Sequence, residues 1–186
     1  MERCQVTADE AEQSLIARAG DGDRGAYELL LERAVGPATR LAFAMLRDRA
    51  EAEDAFQEAA LRAWRRMKNV RAGSTFQPWF LGIVANQCLE VRRGRWWRLI
   101  RVPDLPAAIS TKDAASWLEG EDLRRAVASL PHGQRVAVLL HFHLDMPLSD
   151  VGAALGISEA GAKTRIHRAL KRLRPAMQAG EVRANG

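Results

Sequence analysis

The sequence predicts an all-α protein: two small helical domains joined by a flexible linker, the C-terminal one containing a helix-turn-helix. Three observations carry this. Apolar residues recur at helical spacing almost throughout, strand-like alternation is missing, and the one long break in the pattern is a proline-containing stretch from Arg98 to Glu119. Hydrophobic residues at 47% and charged residues at 27% of 186 place the chain among globular proteins and leave room for two small cores. Net charge is +5, and 24 of the 28 basic residues are Arg, which suits forked contacts to a polyanion.

A first helix covers Glu12 to Ala19 and ends at Gly20. Asp23 caps a long second helix through "AYELLLERAVGPATRLAFAMLR", with Pro37 as an expected kink. "DRAE" (Asp48 to Glu51) has the form of a capping box and opens a helix to Met67. "KNVRAGS" then breaks the pattern, and "STFQP" restarts it to about Arg95, with Ser74 or Thr75 as cap and Pro78 in the first turn. The first domain is therefore expected over 12–97. "RVPDLPAAISTKD" has two prolines and no apolar stripe, so 98–119 reads as an extended tether. The second domain, 120–177, holds four more helices: Gly120 to Ala128, one after "SLP" with Ser129 as cap and Pro131 in its first turn, Ser149 to Leu155, and Ser158 to Met177.

In the last of these, Ala162, Ile166, Ala169, Leu170 and Leu173 form one stripe, while Lys163, Arg165, Arg168, Lys171, Arg172 and Arg174 surround it. The helix "SDVGAAL" precedes it across the turn "GIS", where Gly156 can take positive φ and Ser158 can cap. Helix, tight turn and helix make a helix-turn-helix. Small residues at the start of the second helix let its backbone approach base edges, which puts Thr164, Arg165 and Arg168 within reach of bases or flanking phosphates. A solvated basic face on a terminal helix is the plainer alternative; the preceding "LSDVGAALGIS" favours DNA.

The helix "DRAEAEDAFQEAALRAWRRM" puts Glu51, Asp54 and Glu58 on one face beside Gln57, with Arg62, Arg65 and Arg66 at its far end. Acids early and bases late suit the helix dipole, and the exposed acid is also a candidate docking face for a basic protein. In "FQPWFLGIVANQCLEVRRGRWWR", aromatics beside Arg suit single-stranded nucleic acid, although Phe76, Trp79 and Phe80 also fit a core.

Taken in order, these segments resemble a bacterial sigma factor of the small extracytoplasmic-function class (group 4), from Glu12 to Arg174. "AEDAFQEAALRAW" is similar to that family's segment for gripping core RNA polymerase, "FQPWFLGIVANQCLEVRR" to its −10 helix through Trp79, Ile83 and Asn86, and "SLPHGQRVAVLLHFHLDMPLSDVGAALGISEAGAKTRIHRALKRLR" to its −35 domain. The resemblance implies core binding by Glu51, Asp54, Gln57 and Glu58. It implies contact with the melted −10 non-template strand by Lys68, Asn69, Val70, Arg71, Gly73, Ser74, Asn86, Arg92 and Arg93, with a flipped base held by the loop Lys68 to Ser74 plus Asn86. It implies duplex −35 contact by Ser158, Gly161, Lys163, Thr164, Arg165, Arg168 and Arg172, and an anti-sigma protein as inhibitor. The sequence departs from the family at Ala160-Gly161-Ala162, where relatives commonly have Gly-Thr-Val, at Glu90, where Asp is frequent, and at Val70, where an aromatic is frequent.

Such a protein performs no chemistry on a substrate and needs no cofactor or metal. His141 and His143, in "HFH", would face opposite sides of a helix with no third ligand at metal spacing, and no nucleophile has a base at suggestive distance. Cys4 and Cys88 form no CxxC, and the apolar runs "VAVLL" and "WFLGIVA" fall short of a membrane span, so a reduced, cytoplasmic protein without membrane insertion is expected. A stand-alone helix-turn-helix regulator is the alternative function, and it would need a ligand or dimerisation domain within 12–97.

Overall fold

Alanine sets how closely the first helices pack. In a computed structural model, which describes residues 2–71, 73–101 and 121–184, α1 (Glu2–Gly20), α2 (Arg24–Leu46), α3 (Arg49–Arg66) and α4 (Phe76–Arg101) form one bundle. The buried face of α3 is Ala52, Ala55, Ala59 and Ala63, and α2 adds Ala26, Ala34, Ala38 and Ala42. Side chains this small let helix backbones approach, and larger groups from α4 fill the space left over. Phe76 and Phe80 stack at 5.6 Å, Phe56 meets Phe80 edge-on at 5.9 Å, and Tyr27 tilts over Trp64 at 5.1 Å. The Tyr27 hydroxyl donates to the Ala60 carbonyl at 2.6 Å, and burial pushes its ionisation up to about 12.

Asp23 and Asp48 cap α2 and α3 as expected, accepting from the Ala26 and Glu51 amides at 3.1 and 2.9 Å. Pro37 lies inside α2, which runs through it as one helix; the Thr39 hydroxyl donates to the carbonyls of Val35 and Gly36. Neither Ser74 nor Thr75 is seen capping α4. The Phe76 amide donates instead to the Glu12 carboxylate of α1 at 2.8 Å, so a residue 64 positions earlier does the work of a local cap. Helix α4 also continues to Arg101, past the expected tether start at 98; residues 102–119 lie outside the described residues.

The second bundle comprises α5 (Glu121–Ser129), α6 (His132–Val138) with a π-helical turn Leu139–His143, α7 (Leu148–Leu155) and α8 (Glu159–Ala184). Ser129 does not cap α6: its hydroxyl donates to Ala126 at the end of α5, and Pro131 takes the cap position. The π turn replaces the regular helix expected for "HFH". Its i→i+5 bond from the Leu144 amide to Leu139 and the left-handed Asp145 (φ 51°) turn the chain sharply, and His141 Nδ1 meets the Met146 carbonyl at 2.8 Å. His141 is thus held by a backbone group. Val136, Leu139, Leu140, Val151, Ala162, Ile166, Ala169 and Leu173 form the core beneath α8.

The two bundles touch. Helix α7 packs on α4, and the π turn meets α2, where His143 hydrogen-bonds the Arg40 backbone.

Candidate nucleic-acid interface

The helix-turn-helix is built by two glycines and a serine. Gly156 ends α7 in the left-handed region (φ 64°), Ile157 donates back to Gly152 at 2.9 Å, and Ser158 Oγ accepts the Gly161 amide at 3.2 Å. Gly152 is buried because the turn folds directly over it. Along α8, Ala162, Ile166, Ala169 and Leu173 are buried and Leu170 is half-buried, the stripe the sequence predicts. Ser158, Lys163, Thr164, Arg168 and Arg172 are exposed on the remaining face. Thr164 donates its hydroxyl to Ala160 at 2.8 Å, which leaves its oxygen lone pairs outward. Arg165 behaves differently: it is half-buried and lies over Gly133 of α6, where a Cβ would stand 2.7 Å from its Nη1. Gly161 is half-buried, with Ser158 Oγ 3.3 Å from the position a Cβ would take.

The loop before α4 splits its candidate residues between two clefts. Lys68 and Val70 line a cleft of about 730 Å³ against Gln13, Ile16 and Ala17 of α1. Asn69, Arg71, Gly73 and Ser74 turn the other way, into a cleft of about 710 Å³ with Trp79. Asn86 borders neither: it is exposed on α4 ten residues beyond Phe76, about 15 Å along the axis. Among the described residues, these two clefts divide the loop 68–74 between them and neither is lined by Asn86. Phe76 and Phe80 are core, which leaves Trp79, half-buried, as the aromatic beside the loop; the side chains of Trp96 and Trp97 lie outside the described residues. Arg92 is half-buried and Arg93 exposed.

Gln13 is the functional candidate that the sequence concealed. Its amide spans the loop, accepting from the Gly73 N–H at 3.1 Å and donating to the Ser74 carbonyl at 2.9 Å. Together with the Glu12 cap, it fixes the backbone of a loop whose Gly73 sits at φ 77°. No local pattern marks these bonds, since each joins residues 60 to 64 positions apart.

On α3 the four acidic-face candidates are not equivalent. Asp54 and Gln57 are exposed. Glu51 is half-buried at the helix start, and Glu58 is committed to Arg62 at 2.9 Å. Arg62 in turn reaches Glu90 of α4 at 2.8 Å, so this trio ties two helices together instead of presenting free charge. Gln57 borders a groove of about 830 Å³ between α2 and α3 that includes Tyr27, Leu31, Phe56, Leu61 and Trp64, and Leu61 is 53% exposed. An apolar groove with polar groups at its edge has the composition that protein-docking surfaces share.

His132, at the start of α6, sits near cations from both bundles. Burial first, then Arg92 and Arg93 of α4 and Arg165 of α8, hold its imidazole below its ordinary value of 6.5. The unfolded chain binds that proton more readily than the folded one between the depressed value and 6.5, so stability is lost as pH falls through this window. We expect a lower melting temperature at pH 5.5 than at pH 7.5, with the difference reduced in His132→Asn; an equal difference in the variant would assign it to other groups. Cys88 is fully buried and its thiol is pushed up to about 12, which withholds the thiolate at neutral pH. The Cys4 side chain lies outside the described residues. Among the described residues no cluster of three or more His, Cys, Asp or Glu could hold a metal ion, and no helix is long and apolar enough to cross a membrane.

Comparison with known proteins gives this geometry a family context. Residues 30–98 match the family described as Sigma-70 region 2, and residues 120–173 match Sigma-70, region 4. The chain is 30% identical over 167 residues to the ECF RNA polymerase sigma factor SigM of Mycobacterium tuberculosis, covering 89% of this chain and 84% of that protein. It is also 30% identical over 163 residues to a probable RNA polymerase sigma factor, RfaY, of Xanthomonas campestris, where it covers 83% of this chain but only 41% of the relative. Among solved structures, the sigma factor RpoE of Bartonella quintana, crystallised with the anti-sigma factor NepR, superposes with a TM-score of 0.59 at 27% identity, over 81% of this chain and 94% of that one.

Proposed function

Because this chain belongs to the extracytoplasmic-function sigma factors, and so directs RNA polymerase in transcription initiation, we propose a division of that work among its helices. The exposed part of α3, Asp54 and Gln57 with Leu61 and the adjoining groove, docks on core polymerase. The loop 68–74 with Trp79, Asn86, Arg92 and Arg93 engages the melted −10 non-template strand. Ser158, Gly161, Lys163, Thr164, Arg168 and Arg172 face the −35 duplex, with Arg165 joining them on leaving Gly133. Residues 98–119 serve as the tether between domains 12–97 and 120–177, and the chain works in the cytoplasm as a group 4 factor under an anti-sigma protein.

The observation that carries this assignment is the bare cationic face of α8 behind a capped turn, in one chain with a separate bundle exposing acid and an apolar groove. Sigma factors are non-enzymatic, and the assigned roles need only binding energy. A stand-alone regulator is not favoured, because both bundles match sigma regions in order.

The decisive test is transcription by sigma-free core polymerase. The chain should confer start sites sharing two upstream elements, and no start-site selection would refute the assignment. Asp54→Lys should weaken core association about tenfold or more with the melting temperature unchanged, read by native gel shift. Glu58→Lys is a poorer probe because it also breaks the Arg62 link to Glu90. Arg168→Ala should cost about 1–3 kcal/mol at one −35 position if the side chain reads a base. A loss uniform across sequences, with the salt slope reduced by about one, would mean phosphate contact.

A further inference from the structure

The loop 68–74 does little to hold its own shape. Among the described residues, its backbone bonds to itself at Val70, which donates to the Met67 carbonyl at 3.1 Å, and at Ser74, which donates to the Arg71 carbonyl at 3.1 Å. Gly73, just before Ser74, sits at φ 77°, a conformation that glycine enters freely and leaves as freely.

Helix α1 supplies the rest from outside. Ile16 and its i+3 neighbour Ala19 are buried and seat α1 on the bundle. At one end of the loop, the Met67 carbonyl oxygen lies 3.7 Å from the place a Cβ would take on Gly20; at the other, the Phe76 amide is bonded to Glu12. Helix α1 thus runs alongside the loop, with Gln13 opposite its most adaptable residues. Gln13 offers what a paired strand would: an acceptor for the Gly73 N–H and a donor for the Ser74 carbonyl.

These two bonds can be lost without unfolding the bundle. Gly73 is exposed and Ser74 half-buried, so the freed N–H and carbonyl would find water. The loss falls on the single shape of the loop. Hydrogen bonds to base edges hold over a narrow range of distance and angle, so a loop that shifts accommodates wrong bases along with right ones.

We propose that Gln13 is a positioning residue that sets base discrimination in the melted −10 strand: its amide holds loop 68–74 in one shape, and the loop does the reading. The proposal rests on the −10 assignment of that loop for what is read, and on the two hydrogen bonds for the positioning. A strand that meets an ordered loop binds with full affinity, whereas a loop ordered about a tenth of the time lowers affinity about tenfold.

The test uses holoenzyme reconstituted from core polymerase and the full-length chain. Its probes are fluorescent single-stranded oligonucleotides carrying the −10 element of a mapped start site, and each single-base substitution of it. Gln13→Met keeps side-chain length and helix propensity and removes both hydrogen bonds. Gln13→Glu keeps the acceptor for Gly73 but, ionised, has no donor for Ser74. Gln13→Met should bind the native strand about tenfold more weakly and lose most of its preference over substituted strands, with a smaller loss in Gln13→Glu. The Gly73 amide should exchange with solvent faster in Gln13→Met. Melting temperature, core association and −35 duplex binding should be unchanged. A fall in all of these together, or failure of either variant to fold, would make Gln13 a structural residue and overturn the proposal. So would full discrimination in both variants, which leaves the −10 assignment standing. If wild-type holoenzyme shows no preference among the strands, the −10 assignment fails and the positioning role fails with it.

Discussion

Replacing Phe80 with alanine is expected to cost about 3–5 kcal/mol, a large share of the roughly 5–15 kcal/mol that keeps a domain folded, so the first bundle should be largely destabilised. The ring is fully buried, stacked on Phe76 and met edge-on by Phe56, and the neighbours are helices already brought close by alanine. Such a site has few large side chains able to move in and refill the cavity. The proposed α3 docking face and −10 loop are mounted on this bundle, so both should fail together. The −35 helix-turn-helix has its own core and should survive. Denaturant melts followed by circular dichroism, alongside duplex −35 binding, check this: a loss under about 1 kcal/mol would show that the aromatic cluster is not the keystone of the bundle.

Gly152→Ala should have the other large effect, in the second bundle. The new Cβ would lie 2.8 Å from the Ile157 carbonyl oxygen, 3.2 Å from the Ser158 carbonyl carbon and 3.3 Å from the Glu159 amide. Alanine gains about 1 kcal/mol in helix propensity, but the clash is with backbone at the start of α8 and costs about 1–3 kcal/mol. The turn relieves it only by shifting the N-terminus of α8. Base-edge hydrogen bonds work within a few tenths of an ångström, so −35 affinity should fall more steeply than stability. Expected are a lowered melting temperature, −35 binding down by about tenfold or more, and unchanged core association. Wild-type −35 binding in the variant would show that the turn tolerates the shift.

The capping residues Asp23, Asp48 and Ser158, the positive-φ Gly156 and the buried stripe of α8 were all legible, because each depends on side chains within a few residues of one another. So was the order of the segments that places the chain among sigma factors. The π turn at Leu139–His143 was not: "LLHFH" is compatible with an ordinary helix, and the neighbouring left-handed Asp145 and the packing beneath decide otherwise.

By itself, the sequence determined the helical class, the caps at Asp23, Asp48 and Ser158, the helix-turn-helix and the family, all consequences of short-range periodicity and local hydrogen bonding. Only the tertiary structure decided that Glu12 caps α4, that Gln13 holds the loop before it, that Glu58 is spent on Arg62 while Asp54 is exposed, and that Gly82 lets α7 rest on α4. Each of these joins atoms through space or is settled by what surrounds a side chain after folding. Helical spacing records which face a residue occupies but not what will be packed against it.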